Sequence, residues 1–256
     1  MQYSANLSML FTEVPMPDRF ALARHHGFSA VEIQFPYPWP AADIKQWLDD
    51  NQLDLVLFNV DADTLLQGGE GLAAVPSKRQ AFQAALHQAA EYAKILQPHC
   101  INVLPGRCLQ TNLTAEYWQC LIDNLRLACD VLAEIKVTTV FEAINSLDMP
   151  GFLIDDHAAM LRVLEAVNHP HLKLQYDIYH MARMQQDIVE FWREHLDQIA
   201  HIQFADCPGR HEPGTGQLEF TRLFAELAKL GYQGFLGAEY QPQVSTSESL
   251  NWFKAD

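Results

Sequence analysis

The chain has few basic residues for its length. It carries 17 Lys and Arg against 32 Asp and Glu, which gives a formal charge of −15 at pH 7. Binding to a nucleic-acid backbone or to an anionic bilayer relies on clustered Lys and Arg side chains. The charge balance therefore argues against nucleic acid and against a membrane surface as partners.

The sequence also lacks the patterns of a disulfide framework, a cysteine zinc site or a membrane anchor. Its cysteines are odd in number and include no close CxxC pair: Cys100, Cys108, Cys120, Cys129 and Cys207. The first ten residues, MQYSANLSML, have no basic segment followed by a long apolar one, and no uninterrupted apolar run reaches membrane-spanning length. These absences predict a cytoplasmic protein with reduced thiols.

No low-complexity segment or Ser/Gly-rich linker divides the chain, so we expect residues 1–256 to form a single domain. Short apolar strands alternate with helical segments along its whole length. The predicted strands are Tyr3–Met9, Ala30–Phe35, Leu53–Asn59, Cys100–Leu104, Val137–Glu142, Leu172–Tyr176, Ile199–Ala205 and Gly234–Glu239. The predicted helices are Met16–His26, Ala41–Asn51, Pro76–Leu96, Thr114–Glu134, Asp155–Val167, Gln186–Leu196, Phe220–Leu230 and Ser247–Phe253.

Eight such repeats predict an α/β protein whose parallel strands close into a (β/α)₈ TIM barrel. The alternative is an open Rossmann-like sheet, but no GxGxxG follows the first strand, so a dinucleotide site has no support in the sequence. The long loop Val60–Val75 contains three glycines and is compatible with either a lid over a site or a simple insertion.

Polar residues end the last four predicted strands. Because functional side chains of such barrels lie at the C-terminal ends of the strands, we expect Glu142, Asp177, Gln203 and Glu239 to face one point. Three carboxylates that share a small volume raise one another's pKa, and a divalent cation relieves that repulsion. Oxygen ligands favour Mg²⁺ or Mn²⁺. For any single residue, such as Asp177, a helix cap or a salt bridge is the competing interpretation.

Two further residues are candidates for contact with a ligand. His180 follows Asp177 by three residues, and Arg210 lies in the loop after the strand that ends near Gln203. The planar guanidinium of Arg210 suits a substrate that carries a carboxylate. An ordinary surface histidine and a solvated loop arginine are the alternatives.

Six strings resemble the hydroxypyruvate isomerase family, which belongs to the xylose-isomerase-like barrel superfamily. They are Ser4–Leu10, Ile144-Asn145 with Pro150–Phe152, Gln175–Met181, Gln203–Asp206, Glu212–Gly216 and Gly237–Tyr240, and the likeness extends from residue 4 to Phe253. Related sugar epimerases usually carry His at the position of Gln203, so this chain departs from them by offering an amide oxygen there.

The resemblance implies interconversion of hydroxypyruvate and tartronate semialdehyde in glyoxylate metabolism, with no organic cofactor. It implies acid/base roles for Glu142 and Glu239 and metal ligation by Glu142, Asp177, Gln203 and Glu239. The partner would be a small hydroxy-oxo acid, and a homo-oligomer is compatible with the sequence. The same residues suit a 2-oxotetronate isomerase, a ketose 3-epimerase or a non-catalytic sugar-acid binding barrel. The superfamily also includes an abasic-site DNA endonuclease, against which the acidic charge and the lack of His at the ligand positions argue.

Overall fold

Eight parallel strands close into a barrel in the computed structural model, which describes residues 1–254; the last two residues of the predicted domain lie outside the described residues. The strands follow chain order around the barrel, and β1 pairs with both β2 and β8. They are β1 (Gln2–Asn6), β2 (Ala30–Ile33), β3 (Asp54–Asn59), β4 (Cys100–Asn102), β5 (Thr138–Glu142), β6 (Leu172–Asp177), β7 (Ile199–Phe204) and β8 (Phe235–Ala238). The predicted single-domain TIM barrel is thus confirmed.

Helices pack around the outside of the barrel, and the longer ones, such as α3 and α4, bury an apolar face. The α-helices are α1 (Met16–His25), α2 (Ala41–Asn51), α3 (Arg79–Leu96), α4 (Thr114–Glu134), α5 (His157–Val167), α6 (Ile178–Arg183), α7 (Ile188–His195), α8 (Phe220–Leu230) and α9 (Thr246–Ser249). Local signals set several ends: the Asp156 carboxylate accepts from the Ala159 amide at the start of α5, and α8 stops at Gly231 with a φ of 83°. Among residues 1–254, no helix is both long and apolar enough to cross a bilayer.

The structure differs from the predicted elements at two informative places. The first strand ends at Asn6 rather than Met9, because the Asn6 carbonyl accepts from the amides of Met9 and Leu10 and closes a turn. The second difference is α6, a six-residue helix that follows β6 directly and that the sequence patterns do not predict. A helix this short is too brief to show a hydrophobic period, so its start at Asp177 is the only local signal for it.

Candidate active site

All eight strands deliver a polar side chain to the same end of the barrel. The eight residues, called here the polar ring, are Asn6, Gln34, Asn59, Asn102, Glu142, Asp177, Gln203 and Glu239. All of them except Gln34 are buried. Barrel enzymes carry their chemistry at this C-terminal end of the strands, so the polar ring defines the candidate site.

Two members of the polar ring, Glu142 and Asp177, form a close group with His180 of α6. One ligand atom of each lies within 4.8 Å of the others, and all three side chains are buried. Burial raises the pKa of Glu142 well above its ordinary value, and the negative charges of Glu239 and Asp177 raise it further. Burial also raises the pKa of Asp177, although Arg210 opposes that change. The group therefore concentrates negative charge where solvent does not screen it.

The two carboxylate oxygens of Asp177 have different partners. Oδ1 accepts from the backbone amides of Tyr179 at 2.7 Å and His180 at 3.3 Å, and so caps the N-terminus of α6. Oδ2 lies 3.5 Å from His180 Nε2 and 3.9 Å from Arg210 Nη2. Asp177 therefore caps α6 through Oδ1 and faces His180 and Arg210 through Oδ2, and its role as a metal ligand stays a prediction.

Glu239 lies one residue beyond β8 and is held by three donors. Its Oε1 accepts from Asn6 Nδ2 and from Gln34 Nε2, each at 2.9 Å, and its Oε2 accepts from Arg210 Nη2 at 2.7 Å. Burial, partly opposed by Arg210, raises the pKa of Glu239 to about 7. A carboxylate with a pKa near neutrality can both accept and release a proton at physiological pH.

His180 and Arg210, the two candidate ligand contacts, both lie beside the carboxylates of Glu142, Asp177 and Glu239, called here the cluster. His180 Nδ1 lies 2.7 Å from Asn145 Nδ2, and burial lowers the pKa of the imidazole well below its ordinary value. The Asn145 NH₂ group donates to Nδ1, so the neutral imidazole carries its proton on Nε2, the nitrogen that faces Asp177 Oδ2. Arg210 lies over the Tyr179 ring at 5.4 Å, and its buried Nε has no hydrogen-bond partner in the described part of the chain.

The loop that carries Arg210 is built around Asp206. This carboxylate is fully buried and accepts from three backbone amides, those of Cys207 at 2.8 Å, Gly214 at 2.8 Å and Leu218 at 3.0 Å. The Asp206 carbonyl also accepts from the Arg210 amide at 3.0 Å. Asp206 is thereby the internal anchor of the loop that presents the guanidinium.

We predict that Asp206→Ala destabilises the protein more than an ordinary cap loss does. Removing the acceptor of three amides lowers the free energy of unfolding by about 2–4 kcal/mol, at roughly 1 kcal/mol for each lost bond. The matched control is Asp156→Ala, which frees the single amide of Ala159. Urea denaturation measures both; equal losses in the two variants would show that Asp206 is not the anchor of this loop.

Gln203 also joins the cluster, through its amide. Its Nε2 lies 2.7 Å from Glu32 Oε2 and 3.5 Å from Glu239 Oε1, while its Oε1 accepts from Gln175 Nε2. The structure therefore brings Gln203 to the same place as the three carboxylates, as the strand-end pattern predicts. Its position as a metal ligand stays a prediction.

A small cavity opens over the ring. Its volume is about 200 Å³, which is below the range usual for drug-sized ligands and suits a molecule of a few carbon atoms. The polar wall includes Glu142, Gln175, His180, Arg210 and Glu239, and the apolar wall consists of Phe35, Leu66, Leu104, Ile144 and Met149.

The loop 60–75 reaches the cavity through Leu66, which is 55% exposed. Two residues fasten this loop to neighbouring segments: the Arg107 guanidinium donates to the carbonyls of Gly68 and Pro150, and Glu70 accepts from the Tyr117 hydroxyl. The Gly106 backbone packs so closely on Glu70 that a Cβ there would lie 2.4 Å from the Glu70 carbonyl oxygen. The segment is therefore an ordered wall of the cavity in this structure.

The side chains at the mouth fit a divalent cation. Two buried carboxylates, Glu142 and Glu239, line the cavity, and the buried carboxylate of Asp177 lies beside Glu142. Among the lining residues in the described chain, Arg210 is the single permanently charged cation. Two buried acceptors, Gln175 Oε1 and Asn102 Oδ1, have no hydrogen-bond partner within residues 1–254. Excess negative charge and unpaired oxygens are what a hard cation stabilises.

Several residues of the site are missed when only the last four strands are considered. Asn6, Gln34, Asn59 and Asn102 end the first four strands, and the same strand-end rule identifies them. Asn102 donates to Glu142 at 2.8 Å and to Asn59 at 3.1 Å, so these amides orient the carboxylates. Glu32 of β2 and His201 of β7 lie beneath the polar ring, inside the barrel. The residue pattern of these two strands does not indicate which of their faces points into the barrel, so the two residues are not predicted.

The closed barrel and its carboxylate-rich mouth define an enzyme of the TIM-barrel class. Comparison with known proteins gives the family: the model of the xylose isomerase-like TIM barrel matches residues 20–256. The chain belongs to that family.

Full-length relatives agree with this assignment. Hydroxypyruvate isomerase of Escherichia coli K12 is 36% identical over 252 residues, which cover 98% of each chain. A 2-oxo-tetronate isomerase of Cupriavidus necator is 37% identical over 256 residues, covering 99% of this chain and 97% of the relative. A Brucella melitensis structure described as AP endonuclease, family 2, has a TM-score of 0.94 at 34% identity, covering 98% of this chain and 97% of the other. The two isomerases among these relatives identify the protein as an isomerase-like enzyme.

Proposed function

We propose that the protein interconverts hydroxypyruvate and tartronate semialdehyde (2-hydroxy-3-oxopropanoate). One observation carries the proposal: two buried glutamates with raised pKa values, Glu142 and Glu239, lie with Arg210 at a cavity of about 200 Å³. Such carboxylates can exchange protons with carbon, and the arginine supports a substrate that carries a carboxylate. The name of the Escherichia coli relative agrees with this substrate.

The reaction moves a carbonyl by one carbon. A proton leaves C3 of hydroxypyruvate, the electron pair of that C–H bond forms the double bond of an enediolate, and a proton is then added at C2. The hydroxyl proton moves from the oxygen on C3 to the oxygen on C2, so atoms and charge balance and no organic cofactor is needed. In the proposed mechanism, Glu142 and Glu239 perform the two carbon proton transfers, each acting as acid in one direction and base in the other.

We propose Glu142, Asp177, Gln203 and Glu239 as the residues that would hold Mg²⁺ or Mn²⁺, and His180, which lies beside Glu142 and Asp177, as a contact for the substrate. When bound, such a cation supplies positive charge that polarises the substrate oxygens and stabilises the negative charge that develops on them. Asn102 donates to Oε1 of Glu142, and Asn6 donates to Oε1 of Glu239. Oε2 of Glu142 accepts from neither of these two amides.

Arg210 is proposed to bind the substrate carboxylate, and its unpartnered Nε supports this role. We predict that Arg210→Ala raises KM by roughly 10- to 100-fold, because a hydrogen bond to a charged group contributes about 1.5–3 kcal/mol. Arg210→Lys keeps the charge near Glu239 but loses the planar fork, so we expect an intermediate KM. Steady-state kinetics test both variants, and an unchanged KM in Arg210→Ala would reject the role.

A four-carbon substrate is the second candidate, and the 37% identity to a 2-oxo-tetronate isomerase favours it specifically. The same two glutamates would serve either substrate, and a ketose 3-epimerase would use them as well. The deciding experiment is an isomerase assay across hydroxypyruvate, 2-oxotetronate and ketohexoses, each with and without Mg²⁺ or Mn²⁺. Higher kcat/KM with a substrate other than hydroxypyruvate would transfer the proposal to that substrate.

Two other functions fit the site less well. A non-catalytic sugar-acid binding barrel has no need for two buried glutamates with raised pKa values, and proton exchange from D₂O into bound substrate would distinguish catalysis from binding. A DNA endonuclease, the description of the Brucella melitensis structure, is opposed by the formal charge of −15. The proposed compartment is the cytoplasm, in keeping with five free thiols.

A further inference from the structure

A second layer of polar side chains lies beneath the polar ring, and the proposed reaction does not use it. Its centre is Glu32 of β2, which is fully buried. Glu32 Oε1 accepts from Ser4 Oγ at 2.6 Å and lies 2.8 Å from His201 Nε2, and Glu32 Oε2 accepts from Gln203 Nε2 at 2.7 Å. Burial raises the pKa of Glu32, but these three contacts outweigh it and leave the pKa below its ordinary value.

The barrel makes room for this carboxylate at one position of β8. A Cβ built on Gly237 would lie 2.1 Å from Glu32 Oε1, closer than any real contact. The Glu32 carboxylate therefore occupies the space that any other residue at position 237 would fill. A buried anion is usually no more stabilising than an apolar residue of similar volume, so its presence calls for a role besides stability.

The contact with Gln203 supplies that role. A carboxylate only accepts hydrogen bonds, whereas a carboxamide has one donating and one accepting end. Glu32 therefore selects the orientation in which the Gln203 NH₂ group points toward it, and the same group lies 3.5 Å from Glu239 Oε1. The Gln203 oxygen then points the other way, where it accepts from Gln175 Nε2 and keeps a second lone pair.

We propose that Glu32 is a positioning residue that fixes the Gln203 carboxamide so that its oxygen, and not its nitrogen, is available to the cation at the polar ring. The inference deepens the proposed function and rests on Gln203 as a ligand. The orientation of the carboxamide matters because an amide binds a hard cation through its oxygen alone. Ser4 and His201 act on Gln203 only through Glu32.

The first test reads the amide itself and needs no metal. In wild-type protein labelled with ¹⁵N-glutamine, the side-chain NH₂ signal of Gln203, assigned by its loss in Gln203→Glu, is expected downfield and protected from solvent exchange. In Glu32→Gln we expect both features to be lost. A Gln203 signal in the ordinary solvated position in the wild-type protein overturns the proposal, even if no variant folds.

The second test is a double-mutant cycle on Mn²⁺ affinity, measured by calorimetry. Removing a partner that orients a metal ligand typically weakens metal binding by roughly 10- to 100-fold, and we expect that loss for Glu32→Gln. In the Gln203→Ala background the same substitution is expected to have no further effect. Equal losses in both backgrounds would mean that Glu32 acts on the barrel generally, and the proposal would be wrong.

Two more variants separate positioning from folding. Gly237→Ala displaces the Glu32 carboxylate without altering any polar group, so we expect it to reproduce the weaker Mn²⁺ binding. Thr139→Val is the control for a buried polar change outside this network, and we expect unchanged affinity, since Thr139 is fully buried and contacts neither Glu32 nor Gln203 by a hydrogen bond. Wild-type protein that binds no divalent cation would refute the cation in the proposed function, while the ¹⁵N-glutamine experiment would still decide the orientation of Gln203.

Discussion

Glu142→Gln and Glu239→Gln are each expected to lower kcat by roughly 10²- to 10⁴-fold, the range usual for loss of a positioned acid/base group. An amide keeps the shape of the carboxylate but cannot take up a proton from carbon. Each side chain performs one of the two transfers in each direction, so neither can substitute for the other. Steady-state kinetics with the substrate identified in the assay panel measure the effect.

The same substitutions should leave the fold intact. Glu142 is buried beside the negative charges of Glu239 and Asp177, so replacing it with a neutral amide relieves repulsion. We therefore expect the Tm of Glu142→Gln to be at least that of the wild type. Glu226→Gln makes the same chemical change on α8, where Glu226 pairs with Arg193, and should retain full activity. Near-wild-type turnover in either active-site variant would end the assignment of that glutamate.

Removal of divalent metal is expected to lower kcat/KM by at least about 10²-fold, since stabilising charge on a reacting oxygen contributes several kcal/mol. Arg210 pairs with Glu239, is shared with Asp177 and also lowers the pKa of Glu142, so one positive charge serves three carboxylates. We therefore expect a second positive charge to stabilise these three carboxylates. Extensive chelation, with residual metal measured by mass spectrometry, followed by separate additions of Mg²⁺ and Mn²⁺, gives the test.

Restoration of activity by one ion and not the other would identify the cation that the site prefers. Full activity in protein shown to be free of metal would leave Glu142 and Glu239 as acid and base without electrophilic assistance. Arg210 would then be the group that stabilises negative charge on the substrate. That outcome would remove the cation from the proposed function and leave the carboxylate pair in place.

The sequence predicts the barrel and the residues at the ends of its last four strands, because both depend on local order. A strand pattern is periodic over a few residues, and the end of each strand is set by the polar residue that follows it. Glu142, Asp177 and Glu239 are identified in this way, and the structure brings them together with His180 and Arg210.

The contact between Glu32 and Gln203 could not be predicted in the same way. The two residues are 171 positions apart and meet across the interior of the barrel. Such a contact depends on how the closed barrel staggers its strands, and on the missing side chain at Gly237, neither of which is a property of any one strand. The role of Asp206 is hidden for a similar reason, because its three amide partners are spread over twelve residues of a loop.

The two oxygens of Asp177 link the order of a backbone segment to the charge of the site. A six-residue helix has little stability of its own, so α6 depends on the cap that Oδ1 supplies. Asp177→Asn retains an oxygen for the cap while it removes the negative charge, whereas Asp177→Ala removes both. The two substitutions are therefore different perturbations. Because α6 carries His180, loss of the cap would disorder a residue of the site, so the folding of α6 and ligand binding are thermodynamically coupled.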